Sequence, residues 1–101
     1  MDWFSVHVRA SAPADVPQTT PDEAATGKLM DLLEGFHGIV SAGAGLWDAT
    51  ISFQAPSLHF AADHGAALIQ GRASTAGMPG WPFTRIETAW QDEPVASAPG
   101  G

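Results

Sequence analysis

Residues 47–55 alternate strictly between apolar and polar side chains, and no other feature of the sequence constrains the fold as much. A period of two residues is typical of a β-strand that buries one face and exposes the other. The two faces hold Trp47, Ala49, Ile51, Phe53 and Ala55 on one side, and Asp48, Thr50, Ser52 and Gln54 on the other. This segment therefore predicts one strand of a sheet with an open, polar face.

Three further segments are predicted to be strands of the same sheet. Residues 3–10 repeat the alternation. Residues 39–44 form a short strand that a glycine-rich turn joins to the strand at 47–55, which predicts a hairpin. Residues 83–90 form the last strand. Its faces are less clearly marked: if Ile86 and Trp90 point inward, Arg85 and Glu87 point outward.

Two segments with helical spacing lie between these strands. In the first, Thr20 is predicted to cap the helix, Pro21 to occupy its first position, and Glu23 to complete a capping box. The second helix is predicted over residues 58–73, and Ser57 is its expected cap.

The predicted core combines apolar side chains from both helices and the sheet. Its expected members are Val6, Val8, Leu29, Leu32, Leu33, Phe36, Ile51, Phe53, Leu68 and Ile86. Gly65 lies on the inner side of the second helix, where the lack of a side chain favours a close approach to the sheet.

The order strand, helix, strand, strand, helix, strand resembles the ferredoxin-like plan. The resemblance covers residues 3–90 and implies an α+β (βαββαβ) domain, with a four-stranded antiparallel sheet ordered 4-1-3-2 and both helices on one face. We expect one domain over residues 1–90 and a disordered, dispensable tail over residues 91–101, which are rich in Ala, Pro and Gly. Because many unrelated functions share this plan, it predicts no activity.

The acidic composition argues against several classes of function. The net charge is −7, with 11 acidic and four basic residues, so we expect neither nucleic acid nor an anionic membrane as a partner. Without Cys there are no disulfides or thiolate metal sites, and the four His lack the spacing of metal ligands. We therefore expect no cofactor. No signal peptide or membrane-spanning stretch is visible, and a cytoplasmic location is expected.

A polar cluster is predicted on the open face of the sheet. Its members are His7, Arg9, Asp48, Arg85 and Glu87. One register of the first and last strands places Arg9 near Arg85 and His7 near Glu87. Such a group can bind a small anion or serve acid–base chemistry. A solvated face with ordinary cross-strand charge pairs explains it equally simply, and we favour that interpretation.

The loop at residues 77–82 has the most unusual local sequence, because Trp81 stands between Pro79 and Pro82. Together with Met78 and Phe83, this Trp is a candidate anchor for a protein partner or a second subunit. The alternative is that Trp81 folds over the edge of the sheet and completes a small core, which is the more common arrangement in a domain of this size.

These observations favour a non-catalytic accessory or interaction domain that binds another protein or itself as a homodimer. Two alternatives remain open. One is an ACT-like regulatory domain that binds a small ligand, although the first loop lacks the Gly-containing turn typical of such domains. The other is a small enzyme of the dimeric α+β-barrel type, although the polar open face differs from the apolar cavity that such subunits need. We identify no catalytic residue.

Overall fold

The computed structural model describes residues 1–92, and the predicted order of strands and helices is confirmed. The strands are β1 (Asp2–Ser11), β2 (Ile39–Gly43), β3 (Leu46–Ala55) and β4 (Phe83–Gln91). The helices are α1 (Glu23–Leu32) and α2 (Leu58–Ala76), and a 3₁₀ turn follows α1 at Glu34–Phe36. β4 includes Gln91, and the rest of the predicted tail, from residue 93 onward, lies outside the described residues.

The four strands form one antiparallel sheet in the order β2-β3-β1-β4. This is the predicted order 4-1-3-2 counted from the opposite edge, and it is consistent with a ferredoxin-like α+β fold. β1 and β3 are the central strands and pair from Asp2↔Ala55 to Ser11↔Leu46. Since opposite residues of an antiparallel pair point to the same face, the alternation in both strands gives one apolar and one polar face.

The first helix begins two residues later than the capping prediction, which was wrong. Asp22 is the N-cap of α1, and its carboxylate accepts a hydrogen bond from the backbone N–H of Ala25 at 3.4 Å. Asp is a stronger capping residue than Thr, and its negative charge also suits the positive end of the helix. The predicted cap of α2 is confirmed, because Ser57 accepts from the backbone N–H of Phe60 at 3.1 Å.

The second helix continues three residues beyond its predicted end. It ends at Ala76, and Gly77 follows with a φ of 86°, a left-handed conformation that glycine adopts without steric strain. The backbone N–H of Gly77 bonds to Ser74, and that of Met78 bonds to Ala73. These bonds turn the chain from α2 directly into the loop that leads to β4.

The core lies between the helices and one face of the sheet. Trp47 is its largest fully buried side chain. Of the predicted core residues, Val6, Val8, Leu29, Leu33 and Ile51 are fully buried, and Leu32, Phe36, Phe53 and Leu68 pack against them while partly exposed.

A close approach of α2 to the centre of the sheet occurs at Gly65, as predicted. A Cβ atom at this position would lie 2.7 Å from Cγ2 of Val6 and 3.1 Å from the ring of Phe53. No side chain fits at such distances, so glycine lets the helix axis lie nearer the sheet than any other residue would allow.

The predicted burial of Ile86 was wrong, and Trp90 on the same face is exposed as well. Ile86 faces Val8 and Trp90 faces Phe4 in the β1–β4 ladder, so both point to the helix side as expected. Ile86 is nevertheless 50% exposed and Trp90 62% exposed. The reason is that, among residues 1–92, β4 lies at the edge of the sheet, where one flank of each side chain has no neighbouring strand to pack against.

Candidate interaction surface

The polar cluster of the open face is centred on Asp48. One carboxylate oxygen, Oδ1, lies 2.9 Å from Nε2 of His7 and accepts a hydrogen bond from Nε of Arg9, also at 2.9 Å. Asp48 stands directly opposite Arg9 in the β1–β3 ladder, and its side chain is only 13% exposed. The hydrogen bond to Asp48, and then the charge of that carboxylate, raise the pKa of Arg9.

The other two members of the cluster lie on β4. The structure has the register that places Arg85 opposite Arg9 and Glu87 opposite His7. Arg85 and Glu87 also form an ion pair within the strand, with 3.6 Å between Nε and Oε1, and both are well exposed. The five residues are therefore neighbours on one sheet face, and the contacts among them are those of paired charges on an open surface.

The cluster has the chemistry of an ion-pair network. Asp48 is already bonded to both His7 and Arg9. Among residues 1–92, no three His, Asp or Glu side chains converge to hold a metal ion. The nearest approach on α2 is the pair His59–Asp63 at 3.5 Å, and both of its side chains are largely exposed.

The loop between α2 and β4 folds over the edge of the core. Met78 is 7% exposed and belongs to the core, so its side chain holds the start of the loop against the core. Trp81 and Phe83 are half-buried against the core. Phe83 meets Trp47 edge to face, with 5.8 Å between ring centroids. Of the three predicted interaction residues, Trp81 and Phe83 therefore keep exposed surface.

A cavity of about 610 Å³ lies between this loop and the C-terminal half of α2. Its lining includes Gln70, Gly71, Trp47, Trp81 and Phe83. Within the described part of the chain, Nε1 of Trp47 is buried and has no hydrogen-bond partner. Phe83 is the only β4 residue in this lining.

The helix side of β4 carries an apolar row that we call the β4 strip, made of Phe83, Ile86 and Trp90. Thr88 lies between the last two, opposite Val6. Ile86 and Trp90 are the most exposed members, and the strip borders the cavity at Phe83. Sequence reasoning missed this surface because it equated pointing inward with being buried. The predicted strand order already held the signal, since it placed β4 at an edge.

Comparison with known proteins adds little to this geometry. No family model and no curated protein matches the chain. Among solved structures, the chain is similar to part of a dinuclear metal-binding peptidase of the M20 family from Bacillus subtilis, with 16% identity and a TM-score of 0.40. The match covers 88% of this chain and 25% of the peptidase, so the chain spans about a quarter of that protein's length. In the part of the chain that is described, no helix is long and apolar enough to cross a membrane.

Proposed function

We propose that this domain works by binding another protein chain, not by catalysis, and that the β4 strip is its contact surface. The observation that carries the proposal is the exposure of Ile86 and Trp90, 50% and 62%, on the free edge of a sheet. Trp is among the residues that most often dominate the energy of a protein interface. Partners bury such a side chain together with the unpaired backbone groups of the edge.

The polar cluster supports the same conclusion from the opposite side of the sheet. Asp48 bonds to both His7 and Arg9, so contacts within the sheet face account for the grouping of these residues without a ligand. The α+β-barrel alternative also needs an apolar open face, and this face carries charged residues on β1, β3 and β4. A contact surface on the helix side needs neither a catalytic group nor an apolar open face.

Photo-crosslinking in the protein's own host tests the proposal without assuming the partner. A benzoylphenylalanine at position 90 keeps a large aromatic group in the strip, and the same probe at Ile39 is the control. Ile39 is 69% exposed, but it lies on β2 at the other edge of the sheet. We expect one discrete crosslinked product from position 90 and none of that mass from position 39.

A second substitution in the strip checks that the product reports specific binding. Ile86→Ser beside the probe should lower the yield about fivefold, because burial of half an Ile side chain contributes roughly 1 kcal/mol. The variant should stay folded with only a modest drop in melting temperature, since Ile86 is already half exposed. Equal labelling from positions 90 and 39, or a yield insensitive to Ile86→Ser, would contradict the proposal.

A further inference from the structure

The outer edge of β4 faces no further strand within residues 1–92. In that part of the chain β4 pairs with β1 alone, so the backbone groups on its other side have no strand partner there. It is nine residues long, against five in β2 at the opposite edge. No proline or glycine interrupts it. A bulge near Thr84 disrupts the start of the strand, whereas residues 85–91 pair regularly with β1, so this stretch keeps the regular backbone to which another strand can add.

We infer that the strand that adds to this edge is β4 of a second copy of the chain, antiparallel, with Ile86 opposite Ile86. The inference rests on the proposed function and identifies the protein that binds the β4 strip as a second copy of this chain. It joins two four-stranded sheets into one eight-stranded sheet about a two-fold axis, which is the commonest symmetry of protein homodimers.

Charge complementarity selects this register. With Ile86 opposite its own copy, Arg85 stands opposite Glu87 of the second copy, and the symmetry repeats the pair. Both side chains are well exposed on the same face, and Nε of Arg85 lies 3.6 Å from Oε1 of Glu87 within one strand. Each side chain can therefore turn from this partner to the opposite charge across the interface. Directly opposite unlike charges stabilise an antiparallel pair.

Neighbouring registers are less favourable. Sliding the strands by two residues places Glu87 opposite Glu87 in one direction and Arg85 opposite Arg85 in the other. Sliding by one residue places Ile86 opposite a charged residue and turns the helices of the two copies to opposite faces. In the inferred register all the helices lie on one face, and the two β4 strips meet beneath the two copies of α2.

The decisive experiment is a charge exchange between two variants. Arg85→Glu leaves two acidic residues on the edge, and Glu87→Arg leaves two basic ones. Each variant alone should self-associate about tenfold more weakly than the natural chain, because two attractive pairs become two repulsive ones. The two variants mixed should form a heterodimer within about threefold of the natural affinity, because every cross-strand pair is then unlike.

Sedimentation equilibrium gives the affinities, and native mass spectrometry of the mixture identifies the heterodimer by its mass. Arg72→Glu is the matched control. It makes the same change in net charge at an exposed position on α2, and it should leave self-association unchanged. The double variant Arg85→Glu, Glu87→Arg restores both pairs within one chain and should regain the natural affinity. Melting curves establish that every variant is folded.

The possible failures separate this inference from the proposed function. If the natural chain is monomeric while position 90 crosslinks to a different protein, the self-pairing is overturned and the contact surface stands. If the natural chain dimerises but the two charge variants show no preference for each other, the register is overturned. A dimer with Ile86 opposite Trp90 of the second copy would also show no preference between the charge variants, because that register separates Arg85 from Glu87. Failure to crosslink from position 90 overturns both the self-pairing and the β4 strip as a contact surface.

Discussion

Val8 and Ile86 stand opposite each other in one ladder, on the same face of the same sheet, yet their burial differs completely. Val8 is 0% exposed and Ile86 is 50% exposed. Val8 lies on a central strand, where a strand on either side and α2 above enclose it, whereas Ile86 lies on the edge. The period of a strand therefore determines which face a side chain joins, and the position of the strand in the sheet determines whether that face is covered.

The centre of the sheet should be far more sensitive to truncation than its edge. Ile51→Ala removes a fully buried side chain from β3, and it should lower the free energy of unfolding by about 2–5 kcal/mol because a cavity remains. Urea denaturation measures the loss. A loss below about 1 kcal/mol would mean that the central strands do not form the tightly packed region described above.

The contact between α2 and β1 should tolerate added volume poorly. Gly65→Ala places a methyl group 2.7 Å from Cγ2 of buried Val6. Overpacking costs about 1–3 kcal/mol, and the better helix propensity of Ala offsets about 1 kcal/mol of it. We expect a net loss of about 1 kcal/mol in the same denaturation experiment. Gly71→Ala is the control in the same helix, because nothing lies within 4 Å of its added Cβ, and it should stabilise the domain. A stabilised Gly65→Ala variant would show that helix and sheet are not in close contact there.

The smallest effect is expected at the edge. Ile86→Ala should reduce the stability of the isolated domain by less than about 1 kcal/mol, because half of this side chain is already in water. The measurement needs dilute protein, at which any association is broken, and a repeat at high concentration. A loss that grows with concentration would assign the contribution of Ile86 to a partner chain, whereas a large loss in dilute protein would place Ile86 in the core.

Much of the fold was predictable because local signals agree with one another. The alternation in β1 and β3, the Pro56 that follows β3, and Ser57 as a cap each point to the same element boundaries. The start of α1 was less clear, because Thr20 and Asp22 both have capping side chains. The structure uses Asp22, the residue next to the first helical turn.

The candidate surfaces were predictable to different degrees. The grouping of His7, Arg9 and Asp48 follows from period two and from the pairing of the central strands, and the sequence analysis placed these residues on one face. The two hydrogen bonds to a single oxygen of Asp48 depend on side-chain conformations that no sequence pattern reports. The cavity beside Trp81 is also a tertiary feature, since α2, the loop and β3 contribute to it from distant parts of the chain.

By itself the sequence determined the elements, their order and the face to which most strand residues point, because these follow from local periodicity and steric preference. Phe83 is an exception, since a bulge in the β1–β4 ladder places it opposite Ala10, on the same face as Ile86. Only the tertiary structure decided how much of each face is covered. Burial depends on what packs above and beside a residue, and within residues 1–92 no strand lies on the outer side of Ile86 and Trp90. For this reason β4, whose sequence predicts a half-buried strand, leaves Ile86 and Trp90 exposed.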